Sequence, residues 1–319
     1  MDFKYDYFLK IAAIGKYPEL EISEDEFKEI ISARRTLTAA LSIEENYDLA
    51  LGNFLDLEKE LLMLTVEKIA DHRFDYSRAY TITTSLNRRM VNFVISGKNY
   101  TELISSKASK CASNSQEVGL EVTKLTNIHY QNNPDYRLME ALRNHVSHSG
   151  VAVHSVNNPD KWLLDENNKA TSLVFNLSIY ALKERLAENT KFKAAVLNEL
   201  EEKTDLKKAA RSYIGAISSI QEEVRKLTKE TVSNARSTIE RYLAKYAEVN
   251  DGKSFPLGCY SAAAFKQKVK PTMLFLDWDD VRIGLVEKNQ SISNMEKRYV
   301  SSEIVPLQKP KKSGSAQKT

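Results

Sequence analysis

The chain has 319 residues, of which 42% are hydrophobic and 28% charged, and a formal net charge of +3 at pH 7. This length allows one or two domains with a sizeable core. Its two cysteines, Cys111 and Cys259, form no CxxC pair, so neither a disulfide framework nor a cysteine zinc site is indicated and a cytoplasmic setting is expected. No stretch has the apolar length of a signal peptide or a membrane span, which predicts a soluble protein without a membrane partner.

The positive charge is concentrated at the C-terminus. Residues 308–319 contain four lysines and no acidic residue, and without these lysines the rest of the chain would carry −1. We therefore expect residues 306–319 to form a disordered basic tail. Global charge gives little support for nucleic-acid binding, so a phosphate-binding surface would have to be a local patch.

Long helices are expected because the chain contains only 10 Gly and 7 Pro. The first helix is predicted to begin at Ser23, which forms a capping box with Glu26. A second helix is predicted over 44–70 and a third over 76–110. The short break between the last two predicts an antiparallel hairpin of long helices.

The next predicted helices cover 117–131 and 134–149. The second has Pro134 in its first turn and an apolar face formed by Leu138, Met139, Leu142 and Val146. Gly150 is expected to end it in a left-handed conformation. Beyond it, two β-prone segments, 151–156 and 172–179, predict a short β-hairpin insertion.

A regular apolar seam begins at Leu206 and alternates steps of four and three residues as far as Leu227. Its partner is either the preceding segment, 182–200, or the same helix of a second chain. We favour the first, which predicts a long helical hairpin over 181–250. The remaining residues, 251–305, are predicted to form a small mixed appendage. Its acidic cluster, 277–280, either ends a strand or helix as a turn or binds Mg²⁺, and the turn is favoured.

The predicted helix over 134–149 ends in a short motif. Arg143 is followed directly by Asn144 and five residues later by His148, just before Gly150. The string from Tyr136 to His148 resembles the HEPN family, whose motif is an arginine, a polar residue that is often Asn, a short spacer and a histidine. The resemblance covers this helix and the helical layout around it, and extends no further than about residue 180. It implies a mostly α fold, with a HEPN-type antiparallel bundle over 1–180.

The chemistry of RNA cleavage by its own 2′-hydroxyl suits these residue types. Histidine titrates near neutral pH, so His148 is the expected proton acceptor or donor. The guanidinium of Arg143 could hold the charge that gathers on the phosphate, and Asn144, four residues before His148, could orient the imidazole or the substrate. His145 is expected to be an accessory substrate contact or an exposed helix residue, and Ser147 is expected to contact the substrate. On a regular helix Arg143 and His148 point about 140° apart, so one helix alone does not bring them together.

What the resemblance implies is a homodimer in which two motif helices share a cleft. The function implied is a metal-independent endoribonuclease that leaves a 2′,3′-cyclic phosphate. Such an enzyme would act on RNA as a toxin or in phage defence, with a possible antitoxin or neutralising partner. No metal or other cofactor is predicted, although His145 and His148 with His154 or Asp135 form a weaker zinc alternative. The alternative functions are a catalytically inactive HEPN-like binding or dimerisation module and a structural helical adaptor.

Overall fold

The computed structural model describes residues 4–71, 75–112, 114–148, 150–290, 293–298 and 300. The predicted basic tail, 306–319, lies outside these residues, as does Ser149 at the predicted end of the motif helix. The helices are, in chain order, α1 (Glu24–Glu67), α2 (Tyr76–Lys110), α3 (Ser115–Asn132), α4 (Pro134–His148), α5 (Lys183–Ala187), α6 (Ala194–Glu199), α7 (Leu206–Val249), α8 (Ala262–Lys266), α9 (Asp277–Lys288) and a 3₁₀ helix (Met295–Lys297). The predicted mostly helical fold is confirmed for the described residues, whereas the HEPN type of bundle stays a prediction.

The strands are few and short. They are β1 (Tyr7–Ile11), β2 (Leu20–Glu21), β3 (Ser155–Asn157), β4 (Lys161–Leu164), β5 (Ala170–Val174), β6 (Ser178–Leu182), β7 (Lys203–Asp205), β8 (Leu257–Ser261) and β9 (Thr272–Met273). All pairings in the described sheets are antiparallel, in the orders β2-β1-β8-β9, β3-β6-β7 and β4-β5.

The start of α1 is a capping box, as predicted. The Ser23 hydroxyl accepts from the Glu26 backbone N–H at 3.1 Å, and the Glu26 carboxylate accepts from the Ser23 N–H at 2.8 Å. The predicted division of this region into two helices is wrong, because α1 runs without a break for 44 residues. Glu44, the predicted start of the second helix, is instead buried in the middle of α1 and bonded to Arg225 of α7.

The helix α7 packs along α1 in the same chain. The seam residues from Leu206 to Val224 are buried, and Tyr47 of α1 hydrogen-bonds to Ser218 of α7 at 2.9 Å. The predicted helical hairpin over 181–250 is therefore wrong. The segment before α7 contains only the helices α5 and α6, of 5 and 6 residues, which are too short to cover the seam of a 44-residue helix.

The C-terminal appendage is joined to the N-terminus by a sheet. Strand β8 pairs with β1 across the register Phe8↔Tyr260, and residues from β1, α7, β8 and the 3₁₀ helix share one continuous hydrophobic core. The acidic cluster lies in the first turn of α9, where the fully buried Asp279 accepts from Arg236 at 2.8 Å and from Arg282 at 2.6 Å. This matches the favoured acidic turn.

The predicted β-hairpin is only partly correct: one pairing joins the two predicted segments, and a second pairing was not predicted. Strand β3 pairs with β6 through Val156↔Ile179, which joins the two predicted segments. Residues 170–174, which overlap the second segment, belong instead to β5, which pairs with the unpredicted strand β4.

The helix α4 is held in place by its first turn and by one buried carboxylate. Asn133 accepts from the Tyr136 backbone N–H at 3.1 Å and so caps the helix. One turn further on, Glu140 is 8% exposed and accepts from Lys98, from Thr101 at 3.0 Å and from Tyr213 at 2.6 Å. These contacts anchor α4 to α2 and α7, and thereby fix where its last turns lie.

Candidate functional site

The motif residues occupy the last turns of α4 and differ in exposure. Asn144, Ser147 and His148 are exposed along one strip of the helix, because they are spaced by three and four residues. Asn144 and His148 both line a small hollow of ≈50 Å³, together with Lys191 and Lys193. The predicted partnership of Asn144 with His148 is thus geometrically available, whereas Ser147 lines none of the described cavities around this strip.

Arg143 lies on another side of α4. Its side chain is 29% exposed, and its guanidinium donates to the Asn144 side-chain oxygen at 3.1 Å and lies 4.0 Å from the Glu102 carboxylate of α2. It is absent from the lining of the cavity beside His148. A single chain therefore does not bring Arg143 and His148 together, as the helical spacing predicts.

A cavity of ≈650 Å³ opens beside the end of α4. One wall comes from α4 and the residues that follow it, and the other from α5 and the loop after it. The lining residues are His145, His148, Gly150, Val151, His154, Arg185, Glu188, Asn189, Thr190 and Lys191. Three of the five histidines of the chain thus meet two cationic side chains in one place.

His145 is a buried residue, which corrects its expected exposed position on the helix. It is 4% exposed, and its Nδ1 lies 3.1 Å from the side-chain nitrogen of Asn189. The Asn189 oxygen accepts from the Lys191 backbone N–H at 3.0 Å, so its NH₂ group faces the imidazole and donates to Nδ1. The proton of neutral His145 is therefore on Nε2. This ring joins α4 to the loop after α5.

Gly150 lies against the buried imidazole of His145. A Cβ at this position would lie 3.1 Å from the Nε2 atom of His145, so the missing side chain leaves room for the ring. The predicted left-handed conformation of Gly150 stays a prediction, because its φ angle depends on Ser149, which lies outside the described residues.

His154 lies one residue before β3 and lines the same cavity. Its Nδ1 accepts from the Leu182 backbone N–H at 3.1 Å, and its ring centroid is 6.2 Å from that of His145. Burial lowers the pKa of both imidazoles, and for His154 the charges of His145 and Arg185 add to burial and bring its pKa to about 4. Both rings are therefore neutral at pH 7.

The sequence-based reasoning missed Arg185, Asn189 and Lys191. It placed all three in a long helix of the predicted hairpin, whereas they lie in the short α5 and in the loop before α6. The one signal in the sequence was the polar segment Glu188-Asn189-Thr190-Lys191, which suits a loop better than the apolar face of a helix.

The described residues contain no group of three His, Cys, Asp or Glu side chains placed to hold a metal ion, and no helix among them is long and apolar enough to cross a membrane. No family model matches this chain, and neither does any curated protein or solved structure. The resemblance to HEPN proteins therefore stays a prediction drawn from the motif.

Proposed function

We propose that this protein is a metal-independent endoribonuclease of HEPN type that works as a homodimer. The observation that supports it best is the exposed His148 at the end of α4, beside Asn144 and at the mouth of a cavity that also holds Arg185 and Lys191. An imidazole next to cationic groups is the combination that phosphodiester cleavage needs.

In the proposed reaction the 2′-oxygen of RNA attacks the adjacent phosphorus, and the bond from phosphorus to the 5′-oxygen breaks. The products are a 2′,3′-cyclic phosphate and a free 5′-hydroxyl. One imidazole takes the proton from the 2′-hydroxyl and another gives a proton to the departing 5′-oxygen. A dimer supplies both roles with the same residue, since each copy contributes one His148.

Arg143 has the charge to stabilise the phosphate but faces away from His148 in its own chain. Its ion pair with Glu102 is long, at 4.0 Å, and the Glu102 side chain is 47% exposed. Such a pair contributes about 0–1 kcal/mol, so little opposes its release toward a phosphate. In the proposed dimer Arg143 reaches the cleft shared with the second copy. A role as a toxin or defence nuclease, with RNA as target and an antitoxin as partner, belongs to the same proposal.

The test is to incubate the purified protein with total RNA in EDTA, and to compare the wild type with Arg143→Ala and His148→Ala. Arg35→Ala on α1 serves as the matched control, because it removes an exposed arginine away from the motif. We expect the wild type and Arg35→Ala to cut, and both motif variants to lose at least about 100-fold in rate, as removal of a general acid or base, or of a group that stabilises the developing charge, typically does. Intact RNA with the wild type, or equal cutting by the motif variants, would refute the proposal.

The alternative is a catalytically inactive HEPN-like binding or dimerisation module. The contact of Arg143 with Asn144 and Glu102 favours it, because it gives the arginine a structural role in a single chain. This alternative predicts a dimer that does not cleave RNA, and a dimer that persists in Arg143→Ala. Light scattering on the same proteins shows whether a dimer is present, and the RNA cleavage assay separates the two functions.

A further inference from the structure

Two cationic side chains in the cavity have no assigned role in the motif. Arg185 extends from α5, and Lys191 from the loop that follows it, and both line the cavity opposite His148. We infer that Arg185 and Lys191 bind the phosphate backbone of single-stranded RNA inside this cavity, in the same chain as His148. This inference rests on the proposed function, and it assigns the site a substrate class and a binding pair.

Both cations are available to a phosphate. The Lys191 ammonium has no hydrogen-bond or ion-pair partner within the described residues. Arg185 pairs with Glu188 at 3.0 Å, but the two side chains are 58% and 65% exposed, and exposed pairs three residues apart are weak. Since His145 and His154 are neutral, Arg185 and Lys191 supply the positive charge of the cavity, against the single carboxylate of Glu188.

The segment that carries the two cations is fixed relative to His148. Leu186, next to Arg185, is fully buried, and Phe192, next to Lys191, packs its ring 6.0 Å from that of His145. Asn189, between them, ties the loop to His145. Because the backbone that carries the pair is held in this way, only the two side chains lose freedom when a ligand arrives, which favours binding.

The size and walls of the cavity fit one unpaired nucleotide. Its volume of ≈650 Å³ lies within the range of about 300–1,000 Å³ that is usual for small-ligand sites. Imidazole rings provide flat surfaces, and sequence-specific RNA recognition commonly stacks an unpaired base on such a ring. A base within a duplex is not free to enter, so a single strand is the expected substrate.

The test measures binding of a fluorescently labelled 2′-O-methyl RNA oligonucleotide, which lacks the 2′-hydroxyl needed for cleavage. Fluorescence anisotropy compares the wild type with Arg185→Ala, Lys191→Ala and the double variant. Arg35→Ala and Lys253→Ala are the matched controls, because they remove exposed cations at the other end of the α1 and α7 pair. We expect each cavity variant to weaken binding at least fivefold, and each control to stay within twofold.

Salt dependence provides a second readout that a merely structural role would not move. The logarithm of the RNA association constant falls linearly with the logarithm of the salt concentration. For a single strand, removal of one cation that binds a phosphate should make this fall shallower, by about 0.7 in slope. The thermal midpoint of each variant should stay unchanged, since both side chains are exposed.

Cleavage of total RNA by the same variants separates this inference from the proposed function. If the wild type cuts RNA and the cavity variants bind and cut as it does, the inference is overturned and the ribonuclease stands. If the wild type binds but does not cut, and the cavity variants bind weakly, the inference is supported and the ribonuclease fails. Absence of binding by the wild type overturns the inference directly.

Discussion

The buried carboxylate of Glu140 is where the position of the motif helix can be tested most directly. Glu140→Ala removes the acceptor of three donors at once. The fully buried Tyr213 hydroxyl, 2.6 Å from the carboxylate, would lose this acceptor and keep only its contact with the Thr101 side chain. The Thr101 hydroxyl, 3.0 Å from the carboxylate, would keep only its bond to the Lys98 carbonyl at 3.1 Å. Lys98 would be separated from its nearest carboxylate and keep only Glu102, at 3.5 Å.

The size of the effect follows from what is left behind. Removal of one partner of a buried ion pair costs about 3–5 kcal/mol, because the other charge stays buried. The Lys98 side chain is 21% exposed and retains a second carboxylate, so its share should be at the lower end. The Tyr213 hydroxyl adds about 1 kcal/mol, the low end of the cost of a buried group that loses a partner, because Thr101 remains beside it. We therefore expect Glu140→Ala to lower the free energy of unfolding by about 4 kcal/mol.

The assay is urea unfolding followed by circular dichroism, with Glu199→Ala as the matched control. Glu199 also binds a cation, Arg137 at 2.8 Å, but its side chain is 39% exposed and Arg137 keeps two backbone carbonyl partners. The control should be destabilised by no more than about 1 kcal/mol. Exposed ion pairs contribute about 0–1 kcal/mol. If the losses in free energy of unfolding of the two variants differ by no more than about 1 kcal/mol, Glu140 behaves like an exposed residue and the predicted role of its buried carboxylate is wrong.

Three further predictions concern the histidine cavity. Asn189→Ala should lower the free energy of unfolding by about 1–3 kcal/mol in urea titrations, because it leaves the Nδ1 atom of buried His145 without a donor. Gly150→Ala should destabilise by about 1 kcal/mol in the same assay and shift the His145 imidazole resonances, because the new Cβ crowds Nε2. His154 has a pKa lowered to about 4, below its unfolded value near 6.5, so the unfolded state binds its proton first as the pH falls. Stability should therefore decrease from pH 6.5 to 4 more steeply in the wild type than in His154→Gln, and equal slopes would contradict the assignment.

Local signals in the sequence predicted the helices well where the end of a helix depends on its own residues. The capping box at Ser23 and the break before Tyr76 are of this kind, and α2 has the predicted bounds. The continuity of α1 through Glu44 was missed although neither Gly nor Pro interrupts residues 24–51, and the burial of Glu44 against Arg225, 181 residues away, leaves no local signal. A local pattern does not reveal such a partner.

The partner of α7 was missed for the same reason. The seam from Leu206 to Val224 correctly predicted a long helix with a buried face, but periodicity does not say what covers that face. The pairing of β1 with β8 likewise joins residues far apart in the chain, such as Phe8 and Tyr260.

The candidate site was only half predictable. Arg143, Asn144 and His148 stand together in a motif, so their types and spacing suggested chemistry. Arg185 and Lys191 line the cavity from a segment that Asn189 ties to His145, a contact between residues 44 positions apart. His145, expected as a substrate contact or an exposed helix residue, is buried and lines the cavity.

The two arginines differ in how each would meet His148, and this decides how the site depends on assembly. Arg185 lines the cavity beside His148 in the same chain, so its contribution to RNA binding should not change when a dimer dissociates. Arg143 faces Glu102 in its own chain, so in the proposed ribonuclease its contribution to cleavage would need a second copy. Binding and cleavage should therefore separate on dilution below the dimer dissociation constant: RNA binding would persist per chain while the cleavage rate per chain falls. If Arg185 alone, without a second copy of Arg143, were sufficient for cleavage, RNA binding and the cleavage rate per chain would both persist on dilution.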